Sequence, residues 1–101
     1  MSARDDEERR AYLSVIRDRL GFSQTVMARC LDMSLRAYSA IETGASPCRK
    51  IHILAAERVL MEQAAKRPNA ALLTKPLRDD IRALMLDDLD YARGQHEKAR
   101  S

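Results

Sequence analysis

The segment from Ser23 to Gly44 constrains this chain more than any other. Ser23 and Ser34 are both good helix N-caps, because a serine hydroxyl accepts from a free backbone N–H of the first turn. Each stands before a run with apolar residues at helical spacing. Asp32 and Met33 leave room between the runs for only a tight turn. Gly44 stops the second run, as a residue in left-handed conformation does at a helix end. The pattern predicts helices over Gln24–Leu31 and Leu35–Thr43. Helices this short are not stable alone. They persist only when locked at a fixed angle against other helices. Ala28 is small where the two would cross, and Leu31, Met33, Tyr38 and Ile41 are the apolar residues that would seal the pair to a core.

The rest of the chain supplies the other helices. One is predicted from about Asp5 to Leu20, with Tyr12, Leu13, Ile16 and Leu20 at helical spacing and Gly21 as its stop. Asp5, Asp6, Glu7 and Glu8 lie in its first turns, where the helix dipole favours them. A fourth helix is predicted from about Arg49 to Lys66, its apolar stripe formed by Ile51, Leu54, Ala55, Val59, Leu60 and Met61. Pro68 and Asn69 break it. Residues 70–75 read as an apolar connector that packs down. Thr74 or Lys75 caps a fifth helix with Pro76 in its first turn, running to about Lys98 through Leu77, Ile81, Leu84, Met85, Leu89 and Ala92. With only 3 glycines and 3 prolines, a strand-rich sandwich lacks its turns. The expectation is an all-α fold: a helical domain of four to five helices over residues 1–68, followed by a helical extension over residues 69–101.

Charge and composition narrow the function. A chain that is 46% apolar and 33% charged suits a soluble globular protein. No apolar run approaches the ~18 residues of a membrane span, and the charged N-terminus is unlike a signal peptide, so a cytoplasmic location is expected. Cys30 and Cys48 stand alone, and His52 and His96 are far apart, so no disulfide, metal site or cofactor is expected. No glycine-rich phosphate loop and no nucleophile with a neighbouring base suggests an enzyme. Asp87, Asp88 and Asp90 read as a solvated face rather than a metal site. The net charge of +3 is unevenly spread. The basic excess sits in residues 11–75, as expected of a segment that meets a polyanion.

Two short helices joined by a tight turn are the physical pattern of a helix-turn-helix, whose second helix enters the DNA major groove. The stretch FSQTVMARCLDMSLRAYSAIETG also resembles the helix-turn-helix of Cro/XRE-type, phage repressor-like regulators. Ser23, Gln24, Ala28, Leu31, Ser34, Ile41, Glu42 and Gly44 match that pattern without a gap. Arg17, Leu20 and Gly21 match the end of the family's first helix, and Leu54 and Ala55 match its fourth. The resemblance covers about Tyr12 to Leu60. Two positions depart from it. Asp32 stands where glycine is usual in the turn, a site that needs a left-handed backbone, which Asp tolerates better than most residues. Tyr38 stands where the recognition helix usually has Val or Ile, and its larger ring either fits the core or slides to the edge with its hydroxyl toward DNA.

The resemblance implies a sequence-specific regulator that binds double-stranded DNA, a repressor or autorepressor acting as a dimer on a palindromic operator. Gln24 and the start of its helix would face a phosphate. Ser34 would join the DNA-binding set at the start of the recognition helix. Leu35, Arg36 and Ser39 would read base edges, Arg36 by bonding a guanine through O6 and N7. Thr43, Arg49 and Lys50 would contact phosphates. Glu42 would turn inward to pair with Arg17. The long stripe of the fifth helix suggests a homodimer through Leu84, Met85, Leu89 and Ala92, with Leu77 and Ile81 facing inward. The competing reading is an antitoxin of the same fold, whose C-terminal helix covers a cognate toxin.

Overall fold

The computed structural model describes residues 3–86. Its helices are α1 (Ala3–Leu20), α2 (Gln24–Cys30), α3 (Leu35–Thr43) and α4 (Lys50–Lys66), followed by a 3₁₀ turn at Ala70–Leu72. A fifth helical stretch, α5, covers residues 75–86. Among the described residues every regular element is helical and there is no strand.

The local signals account for the boundaries. Ser23 Oγ accepts from the Val26 amide at 3.2 Å, and Ser34 Oγ from the Ala37 amide at 3.0 Å. Gly44 ends α3 with a φ of 92°. Between α2 and α3 the Met33 amide donates back to the Ala28 carbonyl at 2.9 Å. That tight closure places Asp32 at a φ of 57°, the left-handed region. Asp visits this region at less cost than most residues, which explains how it stands where glycine is usual. Asp32→Val is expected to destabilise the protein by about 1–2 kcal/mol, because a β-branched side chain clashes there. A urea titration checks this; an unchanged midpoint would show that the turn relaxes freely.

The start of α4 shows the role of His52. The Arg49 amide donates to His52 Nδ1 at 2.9 Å, so the imidazole caps the helix. Burial, and then the charge of Arg49, push the His52 pKa down, which keeps the ring neutral and able to accept. His52 is therefore a structural residue.

One core joins all the elements. Leu13 and Ile16 of α1 meet Met27 and Ala28 of α2, Tyr38 and Ile41 of α3, and Ile53, Ala56, Leu60 and Ala64 of α4. The buried face of α4 differs from the expected stripe. Ile51, Leu54 and Ala55 are exposed, while Ile53 and Ala56 are buried. The run Ile51–Ala56 is apolar on more than one face, so periodicity could not choose between them. Packing against Leu13 and Ile16 makes the choice.

The core continues past residue 68. Leu73, Thr74 and Leu77 are buried, and Ile81 packs at the edge. Tyr12 Oη donates to Glu57 at 2.9 Å and lies 2.8 Å from Thr74 Oγ1. The single phenolic hydrogen goes to the carboxylate, so Thr74 donates in turn to Tyr12. Arg19 donates to the carbonyls of Ala71 and Leu73. These bonds hold the connector down, as expected from its apolar sequence. Beyond Ile81 the side chains of Leu84, Met85 and Leu86 are 57–68% exposed. Leu89, Ala92, the helix end near Lys98, the acidic group Asp87, Asp88 and Asp90, and His96 lie outside the described residues. Among the described residues no helix is long and apolar enough to cross a membrane.

Candidate nucleic-acid interface

Helix α3 has one face anchored and one face free. On the anchored face, Tyr38 and Ile41 are buried and the Glu42 side chain is 7% exposed. Arg17 reaches from α1 with two bonds, Nε to Oε1 at 2.6 Å and Nη2 to Oε2 at 3.2 Å. Its remaining arm donates to the Phe22 carbonyl at 3.1 Å. The Arg17–Glu42 pair expected from the resemblance is therefore present, and it has two further members. Tyr38 Oη donates to Glu42 Oε1 at 2.5 Å, and Gln24 Nε2 donates to Oε2 at 2.7 Å.

Each carboxylate oxygen thus receives two donors. Burial alone would raise the Glu42 pKa, but the bonds from Arg17, Tyr38 and Gln24 outweigh it and hold the carboxyl below its ordinary range. Burial, and then the bond to Glu42, push the Tyr38 phenol well above its ordinary range, so it stays a donor. Among the described residues no buried side-chain nitrogen or oxygen lacks a partner. The hub joins α1, α2 and α3 at one carboxylate, which fixes the direction of α3.

The hub sets the placement of Tyr38 and redirects that of Gln24, which was expected to face a phosphate. Tyr38 fits the core, with its hydroxyl toward Glu42 and away from solvent. Gln24 does not point freely at a phosphate. Its amide is turned onto Glu42, because a buried carboxylate draws in the nearest donor. Only the second amide hydrogen of Gln24 remains for an outside acceptor.

The free face carries most of the expected readers. Arg36 is exposed and has no hydrogen bond or ion pair among the described residues. Leu35 is 47% exposed, and Ser39 is half-buried beside the core face. The Ser34 hydroxyl is exposed and accepts from the backbone, which leaves its own hydrogen for a phosphate. Thr43 is exposed, but its hydroxyl donates to the Ala40 carbonyl at 3.3 Å. Its hydrogen is committed to its own helix. Arg49 and Lys50 are exposed at the start of α4.

Two residues of this surface were not singled out from the sequence. Thr25 and Arg29 are exposed on α2 and line, with Ser34 and Leu35, a cleft of about 440 Å³ between α2 and α3. Their signal was their spacing of four residues, on the face of α2 away from the buried Met27.

No family model matches the sequence, and neither does any curated protein or solved structure. Among the described residues no three His, Cys, Asp or Glu side chains are grouped to hold a metal. Cys30 is exposed and Cys48 buried, and both are free thiols.

Proposed function

We propose that this chain is a sequence-specific double-stranded DNA-binding regulator of transcription, a repressor that occupies a palindromic operator as a homodimer. The observation that carries this reading is the division of α3: an unpaired, exposed arginine stands on one face while a part-buried four-residue hub holds the other. A side chain that reads a base must be presented on a rigid element, since an error of an ångström forfeits a bidentate bond. In this reading Leu35–Thr43 is the recognition helix of a repressor-like helix-turn-helix. Arg36 bonds a guanine and Leu35 meets a thymine methyl group. Ser34, Arg29, Arg49 and Lys50 hold phosphates, which fixes register without reading sequence. In this reading the bound regulator represses by denying the promoter to polymerase.

Selection of bound duplexes from a random pool tests the reading. An enriched palindrome is the expected result, and no binding to any duplex at low salt would overturn it. On the enriched duplex, Arg36→Ala is expected to cost about 1–3 kcal/mol and to flatten preference at one base pair per half-site. Arg49→Ala and Lys50→Ala are expected to weaken binding to all duplexes alike and to reduce the salt slope by about one. Titrations at several salt concentrations separate the two patterns.

The homodimer is proposed on a geometric argument. One recognition helix covers too few base pairs to single out a genomic site, and two must lie about 34 Å apart. Leu84, Met85 and Leu86 form an exposed apolar run at the described end of α5, and Leu89 and Ala92 extend its pattern in sequence. Light scattering on the intact protein is expected to give a dimer, and the double variant Leu84→Asp, Leu89→Asp a monomer. A dimer that survives both substitutions would place the interface elsewhere. The same apolar run would suit a cognate toxin, so a stoichiometric second protein after purification from the native host would favour the antitoxin reading.

A further inference from the structure

The first turns of α1 hold the loop that follows α3, and they do so entirely through groups that face the protein. Asp6 Oδ1 accepts from the Cys48 amide at 2.6 Å, and Arg9 Nε donates to the Cys48 carbonyl at 2.6 Å. Arg10 Nε donates to the Ile41 carbonyl at 2.9 Å while its other arm pairs with Asp6. The Arg10 guanidinium carbon would lie 3.5 Å from a Cβ added to Gly44, so it packs against the glycine that ends α3. The Arg10 side chain is 20% exposed and that of Asp6 is 23% exposed. Together they bind the last turn of α3 and the residue before Arg49. Nothing in the matched sequence pattern, which starts near Tyr12, marks these positions.

We infer that Asp6 and Arg10 are positioning residues for DNA binding: they set the C-terminal end of α3 and the Gly44–Cys48 loop so that Arg36, Arg49 and Lys50 meet one duplex together. The inference rests on the DNA-binding reading above. The physical reason is preorganisation. Without Asp6 and Arg10 the Cys48 amide loses its acceptor and the Ile41 carbonyl keeps only the Gly44 amide. The loop that spaces Arg49 and Lys50 from α3, still tied by the Ser46 amide to Ala40 and by Arg9 to Cys48, is then less fixed before binding, at a cost in affinity. Arginine is required rather than any cation. Its planar group donates in two directions at once, to the Ile41 carbonyl and to Asp6, which an ammonium cannot do in the same fixed geometry.

The test compares intact wild type with Arg10→Lys, Arg10→Met and Asp6→Ala on the duplex enriched from the random pool, at a temperature where thermal melts show each variant folded. Each of the three is expected to bind at least tenfold more weakly than wild type, with the salt slope unchanged. Arg10→Lys is expected to fail as fully as Arg10→Met. An arginine that merely touched phosphate would instead lower the slope by about one and be rescued by lysine, and that pattern would overturn the inference. Wild-type affinity in the folded variants would overturn it as well, leaving the residues with a role in stability alone. Should both Arg10 variants prove unfolded, Asp6→Ala decides by the same criterion. Wild type that binds no duplex refutes the DNA-binding reading itself, which a loss confined to the variants does not.

Discussion

Glu42→Ala is expected to lower the unfolding free energy by about 3–5 kcal/mol, the cost typical of breaking a buried ion pair on one side. The loss comes less from the missing attraction than from what is left behind. Without the carboxylate, the Arg17 guanidinium, the Tyr38 hydroxyl and the Gln24 amide lose their common acceptor in a site where Glu42 was 7% exposed. Replacing Arg17 and Glu42 together by methionine and leucine is expected to cost less than the sum of the two single changes, because neither partner is stranded. Urea unfolding of the two singles and the double measures the coupling, and additive losses would show that the pair contributes nothing as a pair. The hub also gives stability a dependence on acid. The Glu42 pKa is lowered by folding from its ordinary 4.5. Its contribution is therefore fully present above that value and is lost as the pH falls through the lower folded value. A melting temperature that declines below about pH 4.5 in wild type, and declines less in the double variant, is the expected signature.

Tyr38→Ala is the second change with a large expected effect, about 3–5 kcal/mol, typical of emptying a fully buried aromatic site. The ring is wholly buried between α3 and the rest of the core, so its removal leaves a cavity that short helices cannot close without moving. Tyr38→Phe separates the ring from the hydroxyl. It keeps the packing, removes one of four donors to Glu42, and is expected to cost about 1–3 kcal/mol. Urea midpoints for both variants check the order. Equal losses would mean that the hydroxyl, and not the ring, carries the effect. The DNA-binding proposal adds a further expectation. Tyr38→Phe should leave the salt slope unchanged, since its hydroxyl points at Glu42 and not outward.

The sequence showed some parts of this arrangement and concealed others for a definable reason. The paired helices around Asp32 were legible because each signal closes on itself. Ser23 and Ser34 each satisfy an amide three residues on, and the Met33 amide returns to Ala28. The Arg17–Glu42 pair was legible only through the resemblance, since its members are 25 residues apart and nothing local links them. Tyr38 could have fitted the core or the edge, and Gln24 could have faced a phosphate. Both were decided by the unmet acceptor capacity of one buried carboxylate. The burial of Ile53 and Ala56 in place of Ile51, Leu54 and Ala55 was concealed by a helix start that is apolar on several faces.

Local signals were enough for the all-helical class, for the bounds of α1 to α4 to within two residues, for the start of α5 and for the inward place of Leu77 and Ile81, while the left-handed turn at Asp32 was legible through the resemblance. Caps, breakers and periodicity act over one or two turns, so they can be read without knowing what lies opposite. Packing, in contrast, chose which face of α4 is buried, turned Gln24 and Tyr38 to Glu42, and brought Asp6 and Arg10 to the end of α3. Each of those outcomes is set by a carbonyl, an amide, a carboxylate or an apolar surface from elsewhere in the fold, and Asp6 meets Cys48 across 42 residues. Local patterning cannot specify a partner that far along the chain, because the partner is chosen by which donors, acceptors and apolar faces the packed helices bring into reach.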